Sequence, residues 1–209
     1  MPYRHTQDVL AHKRSRRNTL AVAALRLFAQ RGYHATSIPM ITRLARASVG
    51  TFYTYFRAKD EVLEFVFQLF AETSVRILHD AVSGTNPAAS QQLHAAVTSL
   101  VLLMTTNPSL AHIFTSLPSG VGARLEKLRR DIVANHARLF EELLAKCEPP
   151  ASECALASRC CVGCIYECVR HWLELPPDRR PTPEALAAGV AAFTVRAVTA
   201  GEPNSTALP

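Results

Sequence analysis

Acidic residues are almost missing from the first 60 positions of this 209-residue chain. Only Asp8 and Asp60 stand there, against 11 Lys and Arg, a net of +9. Residues 61–209 carry 12 Lys and Arg against 15 Asp and Glu, a net of −3, which brings the whole chain to +6. A basic head on a mildly acidic body points the head at a polyanion. Cysteine is absent outside a cluster of six, Cys147, Cys154, Cys160, Cys161, Cys164 and Cys168. No secretory signal precedes that cluster, which argues against a disulfide scaffold and for a cytoplasmic protein. No apolar run approaches the ~20 residues that a membrane helix needs, so no membrane partner is expected. The chain also lacks alternating strand patterns, internal repeats and low-complexity blocks. Phosphate-binding glycine loops, an oxyanion-hole loop and a paired CxxC metal signature are missing as well. These gaps weigh against an enzyme and against a bound cofactor. Lysine is scarce beside arginine, 4 against 19. Guanidinium forks suit phosphates and guanine edges, but the bias runs through the whole chain and singles out no segment.

What is present reads almost entirely as helix, and the expected fold class is all-α. Leu20, Ala24, Leu27 and Phe28 mark one face of a helix from about Ser15 to Arg31, ended by Gly32. Ser37 can cap a second helix to about Ala45, with Pro39 in its first turn. Ser48 can cap a third, from Val49 to about Phe56. A fourth starts near Lys59 and carries Val62, Leu63, Val66, Phe67 and Phe70 to about His79. Gly84 to Pro87 is a break. Leu93, Val97, Leu100, Val101 and Met104 mark a fifth helix, Pro108 to Thr115 a short sixth. Leu125, Leu128, Ile132, Leu139 and Leu143 mark a long seventh after Gly122. Pro149 and Pro150 separate it from a helix over 152–175, and Pro183 opens the last. Residues 201–209 read as a loose tail.

The segment Thr36–Lys59 carries the chemistry. Two short capped helices with a tight turn between them form a helix-turn-helix pattern, and the second holds Gly50, Thr51, Phe52, Tyr53, Tyr55 and Phe56, with Lys59 beyond it. Small and hydroxyl side chains suit base edges, while phenols and cations suit phosphates. Phe52 and Phe56 read as core. Residues 16–63 resemble the DNA-binding domain of the TetR family of bacterial transcriptional regulators, most specifically in Gly-Thr-Phe-Tyr-x-Tyr-Phe-x-x-Lys over Gly50–Lys59. Met40, Thr42 and Arg46 depart from the family, which usually has an acidic residue, alanine and glycine there. An arginine at the turn position would be strained if the turn needs a positive φ. Chemistry and resemblance together make Thr36, Arg43, Arg46, Ser48, Gly50, Thr51, Tyr53, Tyr55 and Lys59 the expected contacts to a double-stranded operator. Lys13, Arg14, Arg16 and Arg17 are expected as a basic arm.

The resemblance implies an N-terminal three-helix reading domain (1–60), an antiparallel helical body for ligand binding and dimerisation (61–200) and a tail (201–209). It also implies a homodimer through the last two helices. The small residues Ala155, Ala157, Gly163, Ala187, Ala188, Gly189, Ala191 and Ala192 would permit close approach there. A small, mainly apolar effector is expected among Leu100, Met104, Phe114, Ile132, Asn135, His136, Leu139 and Trp172, with Asn135 and His136 as polar anchors; Leu103, Leu128 and Phe140 are further candidates. A histidine satisfied by protein groups is the alternative for His136. The cysteines allow three readings: packing, thiol sensing over Cys160–Cys168, or a metal at Cys161, Cys164 and Cys168. A Cys–His enzyme using Cys164 and His171, and a basic peripheral membrane protein with residues 13–31 as its amphipathic helix, are the remaining rivals. The expected function is a repressor released from a palindromic operator by the effector.

Overall fold

The computed structural model describes residues 2–83, 88–116, 121–146 and 154–199, with side chains from Ser15 to Val198 within those ranges. The predicted break at 84–87, the side chains of Lys13 and Arg14, and Cys147, Pro149, Pro150, Ser152 and the tail 201–209 lie outside what is described. The described residues are helical, with no strand among them. The order is α1 (Pro2–Arg31), α2 (Ile38–Leu44), α3 (Val49–Tyr55), α4 (Lys59–Val82), α5 (Ala89–Thr105), α6 (Pro108–Thr115), α7 (Ala123–Leu144), α8 (Cys154–Glu174) and α9 (Pro183–Thr199). A single 3₁₀ turn, Pro177–Arg179, joins α8 to α9.

The first helix is longer than its apolar pattern. It starts at Pro2, not near Ser15. Proline is tolerated in a first helical turn, and neither glycine nor a second proline interrupts the polar stretch that follows. Apolar periodicity marks the part of α1 from Leu20 onward, where Leu20, Ala24, Leu27 and Phe28 are buried.

The boundaries of α2 and α3 follow from their caps. Ser37 accepts the amide of Met40, and Ser48 that of Thr51. Each cap satisfies a donor that the helix cannot, worth about 1 kcal/mol. Gly32 ends α1 at φ +86°. At the end of α2 the amide of Ala47 reaches Thr42 O at 2.9 Å and that of Arg46 reaches Arg43 O at 3.2 Å. This double closure is a Schellman motif, which places Arg46 in the left-handed region, at φ +51°.

A continuous apolar core joins head and body. It runs from Leu20 through Phe52 and Phe56 to Phe67, Leu100, Phe114, Phe140 and Ala191. Six phenylalanines, Phe28, Phe52, Phe56, Phe67, Phe114 and Phe140, are fully enclosed. Each contributes about 1.5–3 kcal/mol of burial. In the body, α5 lies on α9 and on α4, and α7 lies on α8 and α4. The head meets the body twice, α1 against α6 and α1 against α4. Helix α4 therefore belongs to both: its start closes the head and its length runs through the body.

Candidate DNA-reading face and effector region

Three contacts fix the reading helix α3. Phe52 and Phe56 point inward, fully buried, with ring centroids 5.7 Å apart. Arg17 lays its guanidinium 4.0 Å from the ring centre of Phe65 and 5.2 Å from that of Phe56. Arg17 thus staples α1 to the far side of the head, and its expected place in a DNA arm is corrected; Arg16 is exposed. Tyr33 donates its hydroxyl to Asp60.

Lys59 completes the frame. Its ammonium donates to Tyr33 O at 2.9 Å and Thr36 O at 2.7 Å, and lies 4.5 Å from the centre of the Tyr33 ring. Partial burial lowers its pKa. Lys59 therefore acts as a structural clamp: two of its three N–H groups tie the α1–α2 turn to the start of α4. Thr36 is corrected as well. It is 1% exposed, and its hydroxyl donates to Gly32 O at 2.8 Å, so no side-chain atom faces outward.

The outward face holds the rest of the predicted set. Arg43, Arg46, Ser48, Gly50 and Tyr53 are exposed, Tyr53 by 56%. Thr51 and Tyr55 are half-buried. Ser48 Oγ and Thr51 Oγ1 lie 2.8 Å apart, so the cap also orients the threonine. A Cβ on Gly50 would meet only Ser48 Oγ, at 3.7 Å, an ordinary contact. Nothing inside the fold therefore demands glycine there; its effect is to let an outside surface approach the backbone. Sequence reasoning missed Thr54 and Arg57, both exposed at the end of this face. Spacing gave a signal for Thr54, which stands four residues beyond Gly50 and donates to its carbonyl.

In the body, His136 lies at the junction of α4, α7 and α8, fully buried. Its Nε2 is 2.7 Å from Ser74 Oγ and its Nδ1 is 2.6 Å from the hydroxyl of Tyr166. Ser74 donates its single hydroxyl hydrogen to Ala71 O at 3.0 Å. Ser74 must then accept from Nε2–H, and Nδ1 must accept from Tyr166. The neutral Nε2–H tautomer satisfies all three groups. Burial pushes the imidazole down to about 4, consistent with that neutral form. Burial pushes the Tyr166 phenol up, with the nearby Arg129 charge pulling the other way. Phe70 and Phe114 pack beside this triad.

The family model described as bacterial regulatory proteins, tetR family, matches residues 20–66. An uncharacterized HTH-type transcriptional regulator of Bacillus subtilis, YuxN, is 35% identical over 75 residues, 35% of this chain and 26% of that protein. The match thus spans about a quarter of that relative's length. A TetR-family structure from Syntrophomonas wolfei superposes with TM-score 0.72 at 17% identity, covering 92% of this chain and 99% of that one. AibR, solved with isovaleryl coenzyme A and operator DNA, superposes with TM-score 0.70 at 17% identity, covering 85% of this chain and 97% of that one. Residues 20–66 thus match the DNA-binding domain of the TetR family, and most of the chain shares its fold with structures described as TetR-family regulators.

Within the helical body the predicted effector residues do not form one set. Phe114 and His136 share the aromatic cluster around Tyr166. Leu100, Met104 and Ile132 are buried core. Asn135 is corrected: its Oδ1 accepts from Arg138 at 2.9 Å on the outer side of α7. One helical residue turns about 100°, so Asn135 and His136 cannot both face inward. Leu139 lines a separate small groove of about 100 Å³ with Leu78 and Val82. Trp172 is corrected too. Its indole donates to Pro181 O at 2.8 Å and its ring meets Arg180, so it closes the α8–α9 connection. Ser74 and Tyr166, the two partners of His136, were missed.

The cysteines divide by face. Cys161 is buried, Cys160 exposed, and Cys164 and Cys168 stand half-buried with sulfurs 3.9 Å apart. Burial and the neighbouring Cys164 push the Cys168 thiol up to about 11, which disfavours the reactive thiolate. No group of three or more His, Cys, Asp or Glu converges among the described residues. The small residues divide likewise. Ala187 and Ala191 are buried within the chain, while Ala155, Gly163, Ala188 and Gly189 face outward with Leu156 and Phe193, both 57% exposed.

Proposed function

We propose that this chain is a homodimeric transcriptional repressor that reads a pseudo-palindromic operator and is released by a small, mainly apolar effector. The observation that carries the reading is the α3 surface. Two capped helices and a buried Phe52–Phe56 pair hold Gly50, Thr51, Tyr53 and Thr54 outward, beside Arg43 and Arg46 and above an almost uninterrupted basic head. Tyr53 and the arginines supply phosphate contacts; Thr51 offers a hydroxyl and a methyl to base edges. We assign residues 1–60 to DNA and 61–200 to effector binding and dimerisation, with α4 as the link. AibR, held in one structure with an acyl thioester and its operator, supports both halves of the assignment.

Dimerisation rests on the outer face of α8 and α9. Leu156 on α8 and Ala188, Gly189 and Phe193 on α9 are exposed, apolar or small, and would let helices approach closely. An added Cβ on Gly189 would meet nothing within 4 Å inside the chain. A single head would read one half-site, so pairing is needed for an operator with two-fold symmetry. The effector would favour a body conformation in which the paired heads no longer match the operator, through unequal affinity for the two states.

The test is selection of an operator from randomised DNA, followed by footprinting. Wild type should protect a two-fold-related sequence. The variant carrying Arg43→Ala, Thr51→Ala and Tyr53→Ala should lose that protection while keeping its fold. An unchanged footprint in the triple variant would overturn the assignment. Ala188→Arg and Phe193→Asp should each give monomers by light scattering; a dimer unaffected by both would place the interface elsewhere.

A further inference from the structure

A groove of about 400 Å³ runs between α7 and α8. Its floor is aliphatic, with Val133, Ala137 and Val162, and its rim is basic, with Arg129, Arg130 and Arg159. Glu126 serves two of these three cations, at 3.1 Å from Arg129 and 3.7 Å from Arg130. Arg159 has no ion pair among the described residues. The rim therefore keeps about two uncompensated positive charges over an apolar floor. Moreover, Nε of Arg129 is buried without an acceptor. A buried guanidinium N–H is ordinarily paired, and its lack of a partner calls for an explanation. A carboxylate or phosphate oxygen is the acceptor that a guanidinium fork fits best.

We propose that this groove binds the anionic end of the effector, a carboxylate or phosphate carried on an apolar stem, through Arg129, Arg130 and Arg159. The inference rests on the effector-responsive reading above and narrows its ligand: the stem lies on the aliphatic floor, and the head meets the arginines. At Gly163 an added side chain would meet nothing within 4 Å, so the groove has open space at that point of α8. Tyr166 lines the same groove. Its hydroxyl donates to His136, whose far nitrogen donates to Ser74 on α4. Tyr166 is thus a positioning residue between the ligand and the helix whose first residue, Lys59, clamps the reading head.

Octyl phosphate, octanoate and 1-octanol share one stem and differ only in the head. Calorimetric titration of the full-length protein should give saturable binding for at least one of the two anions, at least tenfold tighter than for the alcohol. Binding by the phosphate alone or the carboxylate alone names the head; binding by both means that the rim accepts either. The variant Arg129→Gln with Arg159→Gln should bind that anion at least tenfold more weakly, with its circular-dichroism melt as the check on folding. Should that variant not fold, Arg159→Gln alone, at an exposed position, should still weaken binding severalfold. Equal binding of the alcohol, no saturable binding of either anion, or affinity unchanged in the arginine variants would overturn the proposal. None of these results touches operator binding, so a failed site and a failed regulator reading are told apart by the footprint. Ser74→Ala, outside the groove, should bind the anion within twofold of wild type yet need at least tenfold more of it to leave the operator. Parallel loss of both would remove the Tyr166–His136–Ser74 chain from the coupling.

Discussion

Arg46 shows how one side chain can serve a surface at the expense of its own backbone. It occupies the left-handed closing position of α2, where glycine carries no Cβ penalty and an arginine carries about 1–2 kcal/mol. Arg46→Gly removes that strain but adds unfolded-state entropy of about 0.5–1 kcal/mol. A net gain of about 0.5–1 kcal/mol is expected from chemical denaturation, together with weaker operator binding through the lost cation. Greater stability with unchanged DNA affinity would place Arg46 outside the interface. His136 sets a second residue-scale expectation. Its folded pKa of about 4 lies below the ordinary 6.5. Between those values the unfolded chain takes up a proton that the folded one refuses, so stability falls as pH drops through that window and is intact above it. The loss amounts to about 3 kcal/mol, from 1.36 kcal/mol per unit. Denaturation midpoints from pH 7 to pH 4 should fall more steeply for wild type than for His136→Gln, whose own stability at pH 7 should be lower through the unsatisfied Ser74 and Tyr166. Parallel pH curves would contradict the neutral buried imidazole.

Helix starts were legible wherever a residue has a local reason to stand there. Ser37 and Ser48 accept amides three residues on, Pro108 and Pro183 sit in first turns, and Gly32 takes a positive φ. All these signals act within a turn or two of the chain. The beginning of α1 was not legible because nothing apolar repeats before Leu20, although nothing breaks the helix either. The inner partners were also hidden. Lys59 answers to carbonyls 26 and 23 residues upstream, and His136 to hydroxyls 62 and 30 residues away. No spacing rule reaches so far. Even so, most of the outward part of α3 followed from the motif alone, because a short capped helix with inward Phe52 and Phe56 leaves Gly50 and Tyr53 only one direction. At this scale Lys59→Met tests the clamp. It keeps the stem and removes the ammonium, taking one donor from the Thr36 carbonyl and leaving the Tyr33 carbonyl with the Thr36 amide alone. A loss of about 1–3 kcal/mol is expected, with operator binding weakened through a loosened head. Unchanged stability with weakened DNA binding would restore the phosphate contact.

On the scale of the whole molecule, the continuous core from Leu20 to Ala191 makes head and body one cooperative object, and α4 its shared beam. Such a build suits a protein in which occupancy at α7 and α8 must be felt at α3. In the proposed dimer it would also impose geometry on the target, because two heads fixed to a common base could meet two half-sites at only one spacing and one rotational phase. Half-sites one helical turn apart, about 10 base pairs, face the same side of the duplex. The measurement that tests this most directly is the affinity of the purified protein for its selected operator, before and after insertion of about five base pairs between the half-sites, half a turn. A rigid paired reader predicts two protomers per operator and near-complete loss of specific binding on insertion. Undiminished affinity for the altered spacing, or one protomer saturating a site, would contradict it.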